Sequence, residues 1–420
     1  MKFYQDQPRV GVVCNYGIAD HFKTGYLSVD FVLPLTLENA TGMSLLAGVI
    51  SRGCKEYPRM DLISRYLARN YGASFSINAN KAGELEILTF SFTYLNNEYA
   101  IDGEDIRGAV LALFREMVFH PLVENGGFLP EYVEQEKANH ADKIKGIFND
   151  KRVYSLERCK ELMCRNEAFG IHDMGNIETL EGFDHQSLYA FFQKMMADAH
   201  VVISYVGKEQ GHFLTDLADG FSAREDAMPQ TFVCPQAGET REIVEPMDLN
   251  QSKLNLGFRL GDAALQNGAA CRLFNLLYGG SATSKLFLNV RERLSLCYYC
   301  SSSIDRFKNV MFVSSGVEAD KYEEARKEIE AQLAAIAEGA FTEEEFANAK
   351  AYLVDSIYGL SDSEGALASL MLSGTLRGVL KTPEQEIEEI QRVERETVIE
   401  IAKSVTLDTV YFLKGVHNEE

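Results

Sequence analysis

A pattern of residues recurs in this chain at a constant separation of 227, and no other feature limits its possible folds so tightly. Leu27, Val29, Phe31 and Leu33 alternate with small or polar residues, and Leu254, Leu256, Phe258 and Leu260 do the same. A period of two is that of a strand with one buried face. A helix-period segment follows each strand, carrying Met43, Leu46, Val49 and Ile50 in the first half and Ala270, Leu273, Leu276 and Leu277 in the second. Each segment runs to a glycine, Gly53 or Gly280, where a helix can stop. Tyr71 and Tyr298 correspond at the same spacing.

Farther along, LEILTFSFTYLNNEY and NVMFVSSGVEADKY read as strands leading into helices near 103–118 and 321–338. LPEYVEQEKANHADKIKGIFNDKRVYSLERCKELM then parallels FTEEEFANAKAYLVDSIYGLSDSEGALASLMLSG, each a pair of long helices. The second pair opens with a Thr-x-x-Glu capping box. VVISYVGK and TVYFLKGV close the two halves as short apolar strands. The order strand, helix, helix, strand, strand, helices lacks the regular alternation of a parallel βαβ sheet. It predicts an α+β fold with two homologous domains, 1–225 and 240–420, each a mostly antiparallel sheet with helices packed on one face. The acidic, proline-bearing stretch near 221–245 is the expected linker.

A length of 420 residues suits two domains. The formal net charge of −21 argues against a nucleic-acid partner, since phosphate binding needs a basic face; it suits a solubilising acidic surface or a basic peptide. No window approaches the ~20 apolar residues of a membrane span, and MKFYQDQPRV lacks an apolar signal core, so the expected setting is cytoplasmic. The eight cysteines do not form a disulfide framework in such a setting. Cys297 and Cys300 make a CxxC, as Cys159 and Cys164 make a looser pair, but neither has the further ligands of a structural zinc site.

Three stretches together carry a family likeness: GVISRGCKEYPRMDLISRYLARNYGASFSINANKAG, NDKRVYSLERCKELMCRNEAFG and FNLLYGGSATSKLFLNVRERLSLCYY. Through them nearly the whole chain resembles the pitrilysin/insulinase metallopeptidases, which include the mitochondrial processing peptidases. Active members carry H-x-x-E-H on the first-half helix, where two histidines on one face hold Zn²⁺ and the glutamate activates water. Here the motif positions fall on Ser44, Ala47 and Gly48, none able to ligate zinc usefully or act as a base. The resemblance places a third ligand, a glutamate in active members, near Lys143. The histidines, at 21, 120, 140, 172, 185, 200, 212 and 417, show no metal spacing.

The second half keeps a different family pattern, R-E-x-x-x-L-x-Y, as Arg291, Glu292, Leu296 and Tyr298. In active members this Arg and Tyr contact the substrate backbone around the scissile bond. A guanidinium or phenol donor fixed at the carbonyl oxygen could supply a few kcal/mol of transition-state stabilisation. The residues alone leave another reading open, in which an arginine at a helix end binds the last carbonyls or a surface carboxylate. GGSATSK follows a helix and lacks the G-K-[ST] ending, so it reads as a hinge, and His120 in FREMVFHPL reads as a packed histidine.

The resemblance therefore implies a subunit that binds no cofactor itself. Its partner would be a homologous chain bearing H-x-x-E-H and zinc, in a heterodimer that processes peptides, and activity alone is not expected. The alternative is a catalytically inactive structural or peptide-binding homologue.

Overall fold

The computed structural model describes residues 1–208, 213–225 and 227–416. It divides into two compact units: residues 1–144, 171–230 and 359–383 make the first, and 145–170, 231–358 and 384–420 the second. The strands of the first unit's main sheet are β1 (Lys2–Arg9), β2 (Val12–Ile18), β3 (Thr24–Pro34), β4 (Ser74–Ala82), β5 (Leu85–Leu95) and β6 (His200–Gly207). Those of the second are β7 (Arg241–Met247), β8 (Ser252–Arg259), β9 (Cys297–Asp305), β10 (Val310–Val317) and β11 (Thr406–Gly415).

The first sheet runs β1-β2-β6-β3-β5-β4 and the second β7-β11-β8-β10-β9. Without β1 the two orders are the same. All neighbours are antiparallel except β2 with β6 and β7 with β11, which are parallel in both copies. The repeat holds at single-residue register: Val29 pairs with Phe90 and Ile203, and Leu256, its counterpart, pairs with Val313 and Val410. The expected mostly antiparallel α+β architecture is the observed one.

Alternation decides which face is covered. Leu27, Val29 and Phe31 point into one core with Leu46 and Ile50 of the helix Leu37–Ser51, Phe114 of Ile106–Phe119 and Phe192 of His185–Asp198. In the second unit, the helices Gly268–Tyr278, Tyr322–Ala337 and Arg395–Ser404 form the corresponding layer, and Tyr322 stacks on Phe412 of β11 at 4.3 Å. The Thr342–Glu345 capping box forms, with Glu345 N–H donating to the threonine hydroxyl at 3.0 Å and Thr342 N–H to the carboxylate at 2.7 Å.

The opposite face of each sheet carries one further helix, and that helix comes from the other half of the sequence. Lys151–Met163 lies on the second sheet, where Cys159 and Met163 share a core with Val310, Phe312, Tyr411 and Leu413. Gly257 makes room for it, since a Cβ there would stand 2.5 Å from the Met163 sulfur. Glu364–Leu376 lies on the first sheet, packing Leu367, Ala368 and Met371 on Val206 and Phe22, while Thr375 takes hydrogen bonds from Asn15 and Gln5. Read from hydrophobic period alone, these two helices belong with their own halves. The period records that a face is apolar and not which sheet receives it.

Candidate functional site

The helix Leu37–Ser51 starts where the Thr36 hydroxyl accepts the Asn39 N–H at 3.1 Å, and it is buried over most of its circumference. Its end is fixed by a close approach, because a Cβ on Gly53 would meet the Pro58 carbonyl carbon at 2.6 Å. The three motif positions lie on this helix, but their environment is not that of a metal site. The Ser44 hydroxyl donates to the Asp173 carbonyl at 3.0 Å, Ala47 is a buried methyl, and Gly48 has no side chain.

The carboxylate packed against Gly48 is Glu136, whose oxygen would stand 2.6 Å from a Cβ there. Lys143, the position where the resemblance places the third ligand of active members, lies two turns farther along the helix Pro130–Ile147 and is exposed. Glu136 is already neutralised by Arg52, whose Nε donates to it at 2.6 Å. A hydroxyl bound to backbone, a methyl, a hydrogen atom and a carboxylate paired with a guanidinium do not fit Zn²⁺, which takes deprotonated nitrogen, sulfur or oxygen ligands. The segment 171–175 covers this helix through Ser44, through His140 Nε2 on the Met174 carbonyl at 2.9 Å, and through Lys81 on the Ile171 carbonyl at 2.8 Å. Burial pushes the His140 imidazole below its ordinary range.

His120 is exposed and bonded to Glu116 at 2.9 Å, and His212 and His417 lie outside the described residues. Among the described residues no three His, Cys, Asp or Glu side chains stand together as a metal-holding group.

The Arg/Tyr pattern is arranged differently. Residues Leu286–Arg293 wind as a π-helix, with the Leu294 N–H bonded to the Asn289 carbonyl five residues back, where the sequence reads as an ordinary helix end. Such windings are rare and recur at functional sites. Arg291 is 41% exposed, lies over the Phe287 ring at 4.7 Å and, among the described residues, has as its ion partner only Glu292, at 3.5 Å. It is not consumed by a strong ion pair. The chain then turns at Ser295, which holds a φ of 52°, and enters β9, an edge strand of its sheet.

β9 opens with a bulge. Cys297 pairs with Val317 and Tyr299 with Gly316, so Tyr298 is the extra residue on its strand. A bulge re-aims a side chain, and Tyr298 is accordingly 62% exposed, its hydroxyl donating to Glu318 at 2.8 Å. Glu318 raises the phenol pKa above its ordinary value. Neither the bulge nor Glu318 is visible in a period-2 reading.

The comparisons with known proteins agree with this layout. Residues 182–353 match the model described as the peptidase M16 inactive domain. The "Probable inactive metalloprotease YmfF" of Bacillus subtilis (strain 168) is 31% identical over 409 residues, 96% of each chain. An uncharacterized zinc protease of the same organism, YmxG, is 25% identical over 57% of this chain and 59% of its own. Among solved structures, a conserved protein from Enterococcus faecalis V583 aligns over the whole of both chains with a TM-score of 0.93 and 29% identity. A peptidase M16 inactive domain from Pseudomonas fluorescens does so at 0.79 and 17%, a likeness of fold. With its repeated sheets, its substituted H-x-x-E-H positions and these relatives, the chain belongs to the peptidase M16 family, the pitrilysin/insulinase metallopeptidases, and stands among the family's inactive homologues.

Proposed function

We propose that this chain is the non-zinc-binding subunit of a heterodimeric peptidase, cytoplasmic in setting, whose partner is a homologous chain bearing H-x-x-E-H. The observation that carries this reading is the contrast between its two halves. Ser44, Ala47 and Gly48 leave nothing to hold a metal, whereas Arg291 and Tyr298 keep the family spacing and are exposed at an edge strand. A chain retained only as scaffold has no need of an uncommitted guanidinium and a phenol lifted out of register by a bulge.

Zinc and the water it activates would be supplied by the partner. The residues of this chain would bind and polarise the peptide: Arg291 brings a permanent positive charge, and Tyr298 a hydrogen bond to a carbonyl oxygen that strengthens as charge develops there. To do so, Tyr298 exchanges its bond to Glu318 for one to substrate. Backbone groups on the outer edge of β9, apart from the Ser302 N–H that donates to the Gly279 carbonyl, would pair with an extended peptide, giving affinity with little demand on sequence.

The test is reconstitution. The chain is mixed with a co-encoded H-x-x-E-H relative, and cleavage of a fluorogenic peptide library is followed. Cleavage by the mixture and by neither chain alone is expected, with Arg291→Ala and Tyr298→Phe each lowering kcat/KM by about 10- to 100-fold. Wild-type rates for both variants would remove the Arg/Tyr role. A mixture without activity would favour a structural or peptide-binding homologue.

A further inference from the structure

The bulge that frees Tyr298 also does something to its neighbours. In a regular strand, residues three apart point to opposite faces. Here Cys297 stands opposite Val317 and Cys300 opposite Ser315, so the bulge compresses three residues into two ladder steps and turns both thiols to the same face. Two steps span about 6.7 Å at the usual rise per residue. A disulfide bridges Cα atoms up to about 6.8 Å apart. Both cysteines are buried, and each thiol influences the ionisation of the other, with Ser315 acting on both.

The environment separates the two sulfurs chemically. Cys300 is 3% exposed and Cys297 9%, so solvent reaches the first of the pair more readily. The neighbouring Cys300 thiol, then Ser315 and the Arg291 guanidinium, outweigh burial and lower the Cys297 thiol below its ordinary range. Burial instead raises Cys14, Cys54, Cys159, Cys164 and Cys271. A thiolate beside a second thiol, with a cation nearby, is the arrangement of a reactive cysteine with a resolving partner.

We propose that Cys297 and Cys300 are a redox-active dithiol, Cys297 attacking and Cys300 resolving, which a small-molecule disulfide such as glutathione disulfide converts to an intrachain disulfide across the bulge. The Cys297 thiolate attacks one sulfur of the oxidant, forming a mixed disulfide and expelling one glutathione thiolate. Cys300 gives up its proton to solvent and attacks the Cys297 sulfur, forming the Cys297–Cys300 bond and expelling the second. The two protein thiols are oxidised by two electrons, and one glutathione disulfide is reduced to two thiols. The closed bond would brace the bulge that carries Tyr298. That consequence rests on the proposed role of Tyr298 in peptide cleavage, whereas the dithiol chemistry does not.

The full-length chain is incubated with glutathione disulfide, its remaining thiols are blocked, and the tryptic peptide 294–306, which holds both cysteines, is weighed. In wild type the peptide is expected to lose two hydrogen atoms, and in Cys300→Ser to stop with one glutathionyl group on Cys297. A second reading needs no variant: at pH 7, iodoacetamide should label Cys297 about fivefold faster than Cys234, the half-buried cysteine of the same chain. An unchanged peptide, a glutathionyl adduct that persists in wild type, or labelling no faster than at Cys234 would each overturn the proposal. None of these readouts depends on peptidase activity, so a failed reconstitution and a failed oxidation are separate results.

Discussion

Glu86 is the clearest case of a single residue whose surroundings dictate a measurable property. It lies on β5, fully buried, and neither carboxyl oxygen has a hydrogen-bond partner among the described residues. Burial, reinforced by the Asp173 charge and only partly offset by Lys81, raises its pKa to about 8. The folded state therefore holds a proton that the unfolded chain, with an ordinary glutamate pKa near 4.5, releases. Stability from this group is full below the unfolded value and is lost as pH rises through the folded one. The slope between them is about 1.4 kcal/mol per pH unit at most. Wild type should thus melt at lower temperature at pH 8 than at pH 5.5, and Glu86→Gln, neutral throughout, should show a smaller fall. Thermal melts of both proteins at the two pH values check this, and equal shifts would mean that Glu86 is ionised in the folded chain.

At the scale of elements, the crossover helix Lys151–Met163 is held by more than its apolar face. The turn that follows it carries Glu167, which accepts from buried Arg259 at 2.6 and 3.0 Å and from fully buried Lys308 at 2.6 Å. Arg259 also donates to Asp408 at 3.0 Å, and Arg241 pairs with the same carboxylate at 2.5 Å. Burial alone would favour protonated Glu167, but the bonds from Arg259 and Lys308 prevail and hold its carboxyl below the usual range. Removing the carboxylate takes the charge partner from buried Lys308 and leaves Arg259 with Asp408 alone, and breaking a buried pair in this way costs about 3–5 kcal/mol. Glu167→Ala should lose that much in urea unfolding, whereas Glu161→Ala, on the exposed side of the same helix, should lose under about 1 kcal/mol.

This network marks the limit of what sequence made legible. Strands, their pairing order and the main helices follow from period and repeat, because a two-residue or 3.6-residue alternation is written in single residues such as Val29 and Leu256. The substituted motif positions and the Arg291/Tyr298 pair come from the family resemblance, whose patterns are spacings along one chain, and spacing alone leaves Arg291 open to a structural reading. The destination of the crossover helices, the contact of Glu136 with Gly48, the π winding at Arg291 and the bulge at Tyr298 are not legible in sequence. Each depends on which distant surface a residue meets, and apolar period carries no such address.

For the whole molecule, the exchange of helices changes what counts as an independent part. Two consecutive repeats, 1–225 and 240–420, would each be expected to fold alone. Yet the first unit includes residues 359–383 and the second 145–170, so a cut at residue 230 takes from each unit the helix that covers the far face of its sheet. The loss can be weighed. Leu367 and Met371 on one side, and Met163 with its neighbours on the other, are fully or almost fully buried, at about 1.5–3 kcal/mol per large side chain. The second unit would also lose Glu167, leaving Lys308 without that carboxylate and Arg259 with Asp408 in place of two carboxylates. Losses of this size rival the 5–15 kcal/mol by which a domain is ordinarily stable. Fragments 1–230 and 231–420 made separately should therefore lack cooperative melts. Made together, they should recover a single transition near that of the intact chain. Circular dichroism melts of each fragment and of the co-expressed pair decide the matter: a fragment that melts cooperatively alone, at the intact chain's temperature, would show that the crossing helix is an accessory to a unit already complete. Loss in isolation with recovery on mixing would show that both repeats must be present for either to fold, so that the duplication acts as one cooperative structure.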